Sequence, residues 1–186
     1  MDKSKLNALI NLLDDPDKTV FDIVEKELLK ENNEIIPVLE EKWEASLDAN
    51  CQERIENLIQ SLHYKETYHR LNLWLNTNSN ERDLLTGFWI VDQFQYPDLN
   101  LLNIQLKIEM IRKKIWLELN NSLTLLEKTT ILNHFLFNVF GFSINHSNNK
   151  SSQNCFLSQM LDSKKGNPIS LSIFYTIIAR QLELPV

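Results

Sequence analysis

The chain alternates apolar stripes at steps of three and four with short polar breaks. That is the period of amphipathic helices. Leu6, Leu9, Ile10, Leu12 and Leu13 predict a first helix, ended by Asp14-Asp15-Pro16-Asp17, because Pro16 lacks an amide hydrogen and disfavours helix in the residue before it. Asp17 or Thr19 can cap a second helix whose apolar face is Val20, Phe21, Ile23, Val24, Leu28 and Leu29, broken by Glu31-Asn32-Asn33. A third carries Ile36, Leu39, Trp43 and Leu47 on one side, with Pro37 in its first turn. Asp48 caps the next, with Ile55, Leu58, Ile59 and Leu62 in register and the pattern resuming at Leu71, Trp74 and Leu75.

Asn76-Thr77-Asn78-Ser79-Asn80 is a polar break of low helix propensity and marks the expected main boundary. Beyond it, Leu84 to Phe94 predicts a buried helix stopped at Tyr96-Pro97. Leu101, Ile104, Ile108, Ile111, Ile115 and Leu119 then form a long stripe ended by Asn120-Asn121. Thr124-Leu125-Leu126-Glu127 is a capping box opening an apolar helix through Leu132, Phe135, Leu136, Val139 and Phe140, with Gly141 as its stop. An Asn/Ser-rich loop from Ile144 to Gln153 precedes a short helix predicted over Cys155 to Leu161. Gly166 suits a left-handed cap of that helix, Asn167 the N-cap of the last one, and Pro168 its first position. From Ile169 to Leu182 the last helix is apolar nearly all round, the mark of a helix buried in mid-domain. The pattern predicts no strand.

Composition agrees. Of 186 residues 43% are apolar, so a core is affordable, and only three glycines and five prolines are present, too few turn residues for many short strands. The net charge of −6 argues against a nucleic-acid binder. Arg112-Lys113-Lys114 and Lys164-Lys165 are short basic runs of the kind found on solvated helix faces or near helix ends. Cys51 and Cys155 make neither a disulfide framework nor a CxxC metal motif. No signal-type core opens the chain, and no apolar run reaches the roughly 18 residues of a membrane span. A cytoplasmic protein is expected.

Two stretches resemble known families. Leu12-Leu13-Asp14-Asp15-Pro16-Asp17 with Val20 and Ile23, then Ile35-Ile36-Pro37-Val38-Leu39, resembles a HEAT-type helical repeat, and Asn50 to Leu62 could begin a second, degenerate one. Leu125 to Phe142, Asn154-Cys155-Phe156-Leu157, Gly166-Asn167-Pro168-Ile169-Ser170-Leu171-Ser172 and Ala179-Arg180-Gln181-Leu182-Glu183-Leu184-Pro185-Val186 together resemble the SirB-type transglutaminase-like family. Cys155 stands where that pattern usually has serine, and Glu183 where it usually has glycine. The family-motif positions are Gly166, Asn167, Pro168, Ser170 and Ser172.

The resemblance implies chemistry that the residues do not supply. Catalytic members of the wider superfamily carry a cysteine at the start of the buried helix, where free amides and the helix dipole stabilise a thiolate and an oxyanion. A histidine and an aspartate on later strands complete the triad. The matching position here is Pro168, which has no nucleophile, and no partner strands lie within the sequence. Cys155 reads as a small packing residue, although its place near a short helix start makes a lowered pKa conceivable. Ser170 and Ser172 read as bonding to backbone. His134 and His146 pair with no cysteine or carboxylate at recognisable spacing. Glu66 and His69 lie one helical turn apart, but a second Glu-x-x-His, as a di-metal bundle requires, is missing. Trp43, Trp74, Trp89 and Trp116 read as packing residues. With no Gly-rich phosphate loop, neither cofactor nor metal is implied.

The expected fold is mainly α: HEAT-like helical pairs over residues 1–76, then residues 81–186 as the helical part of a transglutaminase-like α+β domain, incomplete at the C-terminus. The expected function is a non-catalytic module for protein interaction or regulation, binding neither nucleic acid nor membrane, with self-association through the uncovered last helix as a consequence of an N-terminal fragment. The rival is a cysteine hydrolase or acyl transferase whose remaining catalytic strands lie beyond Val186. A third reading is a purely structural helical adaptor.

Overall fold

A computed structural model describes residues 2–78 and 82–186. Ser79, Asn80 and Glu81, which hold part of the expected polar break and the expected start of the second region, lie outside the described residues. The chain is mainly α and divides into two compact units, Met1–Asn72 and Leu73–Val186.

The first unit contains α1 (Lys3–Asn11), α2 (Lys18–Leu28), α3 (Ile36–Ala45) and most of α4 (Ala49–Asn76). Leu12 and Leu13 fall in a 3₁₀ turn, Leu12–Asp14, rather than in α1 itself. Asp17 caps α2 by accepting from the Thr19 amide at 2.8 Å. The core joins Leu13, Leu28, Leu39, Ile55 and Leu58, all fully buried; each contributes about 1.5–3 kcal/mol over the exposed state. The predicted stripe of the third helix ran to Leu47, but α3 ends at Ala45 and Leu47 is 102% exposed. Ser46 turns extended, with ψ at 134°, so the helical register is lost before Leu47 is reached.

The second unit contains α5 (Leu84–Gln95), α6 (Leu101–Trp116), α7 (Leu125–Asn133), α8 (Leu157–Ser163) and α9 (Pro168–Gln181). Asp83, Asn100 and Thr124 cap α5, α6 and α7 through side-chain oxygens, and the Thr124–Glu127 capping box is formed in both directions. α7 widens into a π-helical segment, His134–Val139, in which the Phe140 amide reaches back to the Phe135 carbonyl at 2.8 Å. Gly141, at φ +75°, ends it as expected. The core gathers Ile108, Ile115, Leu132, Leu136, Phe142, Leu157, Met160, Phe174 and Ile178.

Three expectations need correction here. Two strands do exist, β1 (Ser143–Ile144) and β2 (Lys165–Gly166), paired in parallel with Ser143 opposite Lys165; at two residues each they carry no readable alternation. The segment predicted as one helix from Cys155 is a 3₁₀ turn, Ser152–Cys155, followed by α8 from Leu157. The left-handed cap of α8 is Lys164, at φ 60°, and not Gly166. The last helix also keeps an open face: Phe174, Ile177 and Ile178 are buried, but Ile169 is 71% exposed.

Candidate functional site

The family-motif positions converge on the first turn of α9. Asn167 is its N-cap, accepting from the Ser170 amide at 2.7 Å, while the Ser170 hydroxyl accepts from the Asn167 amide at 3.0 Å. This reciprocal box satisfies two amides that a helix start otherwise leaves open. Ser170 is 2% exposed, and its hydroxyl donates to the Asn154 carbonyl at 2.8 Å. Pro168 is exposed at the first helical position. Ser172 donates to the Pro168 carbonyl at 2.7 Å, the backbone role expected of it.

Gly166 has a steric reason for its small size. A Cβ there would lie 2.7 Å from the Ser170 oxygen and 2.9 Å from the Met160 sulfur. Its carbonyl also accepts from the Asn145 amide at 3.0 Å, which extends the β1–β2 pairing.

Asn154 ties the preceding loop to this turn. Its side chain donates to the Asn148 carbonyl at 2.7 Å and accepts from the Asn145 side-chain amide at 2.9 Å. Cys155 is exposed, and its sulfur accepts from the Asn167 side-chain amide at 3.1 Å. Of the histidines considered for catalysis, His134 sits edge-on to Phe135 and His146 lies in the loop after β1.

Sequence reasoning missed Asp92. This aspartate on α5 is 0% exposed, and its two oxygens accept from the Leu157 amide at 2.7 Å and the Ser158 amide at 2.6 Å. Phe156, which precedes α8, has no capping side chain, so a carboxylate from a distant helix caps α8 instead. Burial drives the Asp92 carboxyl above the usual carboxylate range, against the pull of the Ser158 and Leu157 hydrogen bonds. The available signal was one acid inside an otherwise apolar helix pattern.

Beside the first turn of α9 lies a groove of about 670 Å³, lined by Phe137, Phe142, Ile144, Pro168, Leu171 and Tyr175 among others. Phe137 and Tyr175 in its lining stack on each other with ring centroids 6.4 Å apart. Glu66 and His69 lie in the first unit, and among the described residues no group of three His, Cys, Asp or Glu side chains could hold a metal ion.

Residues 103–186 match the family model described as transglutaminase-like superfamily. A UPF0162 protein of Xylella fastidiosa, strain Temecula1, is 29% identical over 124 residues, covering 62% of this chain and 42% of the relative. The UPF0162 protein of strain 9a5c is 30% identical over 108 residues, 55% of this chain and 37% of the relative. The chain thus spans less than half the length of these curated relatives. No solved structure matches it.

Proposed function

From the premise that residues 103–186 form a transglutaminase-like superfamily domain, we propose that the chain is a non-catalytic helical module of SirB type that binds a protein partner. On this reading residues 1–76 are its HEAT-like region, stacked helices that offer an extended surface. The observation that carries the reading is the first turn of α9. Pro168 stands at the first helical position, where the resemblance would put a nucleophile, and the backbone amides of Asn167 and Ser170 are taken up by the capping box. Thiol chemistry at a helix start needs a sulfur and open amides there. Cys155 instead has its sulfur against the Asn167 amide group, outside that turn.

A protein is the fitting partner class. The net charge of −6 disfavours nucleic acid, and among the described residues no helix is long and apolar enough to cross a membrane. The cytoplasm is the proposed location. The groove along α9 suits apolar side chains, with Phe137 exposed in its lining.

The test is a turnover assay with an aryl ester, an aryl thioester and a glutaminyl peptide, run on the chain and on Cys155→Ala. No Cys155-dependent turnover is expected. Turnover that vanishes in Cys155→Ala would replace this reading with a cysteine hydrolase or acyl transferase.

A further inference from the structure

A second groove, of about 560 Å³, lies between α6 and the turn from α8 into β2, entirely within the second unit. Its size falls in the range of small-molecule sites, roughly 300–1,000 Å³. Its apolar lining is Met110, Ile111, Phe140 and Leu161, and its charged lining is Lys107, Lys113, Lys114, Lys164 and Asp162. Four lysines and one aspartate therefore line it, in a chain whose net charge is −6.

The carboxylates nearby are already engaged. Asp162 pairs with Lys107. Glu109 accepts two hydrogen bonds from Arg112, at 2.6 and 2.7 Å, and reaches Lys113 only at 3.7 Å. Among the described residues neither Lys114 nor Lys164 forms a salt bridge, although the Lys164 ammonium donates one hydrogen bond to the Leu161 carbonyl. Their ammonium groups lie 5.6 Å from the Phe140 ring and 4.7 Å from the Phe142 ring.

Lys164 is the most constrained of the four. It holds a left-handed backbone at φ 60°, a conformation that favours glycine and carries strain in other residues. Burial lowers the pKa of its ammonium group below the ordinary lysine value; attraction to Asp162 works against this and repulsion from Lys107 adds to it. A ligand carboxylate would relieve that repulsion, while its apolar body would cover Met110 and Phe140.

We propose that this groove binds an amphipathic organic anion, a carboxylate on an aliphatic body of the size of a medium-chain fatty acid. The lysines Lys114 and Lys164 meet the carboxylate, and Met110, Ile111, Phe140 and Leu161 receive the chain. This goes beyond the protein-binding role and does not depend on it.

Calorimetric titration with octanoate, decanoate and dodecanoate, alongside decanol and decylammonium, tests it, with amide shifts in a heteronuclear NMR spectrum giving the location. Decanoate should shift amides within residues 107–114 and 161–164. Each added methylene should tighten binding about two- to fourfold, and decylammonium should bind at least about tenfold more weakly than decanoate. Lys164→Gly keeps the left-handed backbone without strain and removes the ammonium, so it should fold as the parent does and weaken decanoate about threefold or more. Lys114→Glu should weaken it further. Absence of decanoate binding, equal affinity for decanol and decanoate, or shifts confined to the groove at Pro168 and Tyr175 would each overturn the proposal.

Discussion

In the first unit the turn between α1 and α2 is tied down by charges that still touch water; in the second, the turn before α8 is tied to a carboxylate that does not. Asp14 pairs with Lys42 at 2.5 Å and accepts from the Cys51 sulfur at 2.6 Å. Arg54 donates to the Asp15 carbonyl at 2.8 Å and lies 4.5 Å over the Phe21 ring. The side chain of Asp14 remains 47% exposed. Asp92 has no exposure at all, and its two oxygens accept from backbone amides rather than from a cation. Both arrangements hold a junction between helices. They differ in what is left behind when the acid is removed: water can rehydrate the Lys42 ammonium, but not the buried amides of Leu157 and Ser158.

The largest expected effect follows from that difference. Asp92→Ala orphans two buried amides, each worth about 1–3 kcal/mol unpaired, so a loss of about 3 kcal/mol or more is expected in urea denaturation. Asp92→Asn keeps one acceptor and should lose less. Hydrogen exchange should accelerate first at Leu157 and Ser158. A loss below about 1 kcal/mol for Asp92→Ala would break the comparison.

Gly166→Ala comes next. The added methyl group meets the Ser170 oxygen at 2.7 Å and the Met160 sulfur at 2.9 Å. Ser170 is held by bonds to Asn167 and Asn154, so it gives way only by breaking the capping box. Overpacking of this kind costs about 1–3 kcal/mol. A drop in Tm with faster exchange of the Asn167 and Ser170 amides is expected; an unchanged Tm would show the box to be loose.

In the first unit the effect is smaller and depends on pH. Burial acts to raise the Asp14 carboxyl, but the hydrogen bonds from Cys51 and Lys42 outweigh it and hold it below its ordinary value. Its contribution is therefore present above the unfolded pKa of about 3.9 and is lost as pH falls through the lower folded value. Because the pair is partly exposed, Asp14→Asn should cost no more than about 1 kcal/mol at neutral pH, and the difference from the parent should shrink in acid. A difference that persists below both pKa values would assign the effect to packing around Cys51 instead of charge.

How legible all this was varies with the range of the interaction. Helices whose stripes recur at three and four, such as Ile104 to Ile115, were readable because each residue reports the same face. So were the Thr124–Glu127 and Asn167 caps, whose chemistry lies within four residues. The Asp92 cap was not, because donor and acceptor stand 65 residues apart. The β1–β2 pair was hidden by its length, and the Gly166 requirement by a contact across two elements. Gly166 drew the left-handed assignment because glycine is the default there, while the residue that adopts it, Lys164, carries a side chain.

Glu183 gives the smallest effect and the cleanest test of that point. It sits at φ 58°, just past α9. Its amide donates to the Arg180 carbonyl at 3.0 Å, and the Leu184 amide reaches the Ala179 carbonyl at 2.9 Å. This pair of bonds is the Schellman closure, which favours glycine at the left-handed residue. A side chain there costs about 1 kcal/mol, partly offset because glycine makes the unfolded chain more disordered. Glu183→Gly should therefore stabilise the second unit by about 0.5 kcal/mol, a rise in Tm of about 1–3 °C. The matching change at Lys164 removes the same backbone strain but also takes the ammonium from the Phe142 ring at 4.7 Å, so Lys164→Gly should gain less. A larger gain at Lys164 than at Glu183 would mean that the Lys164 side chain contributes nothing to the fold beyond the strain it brings.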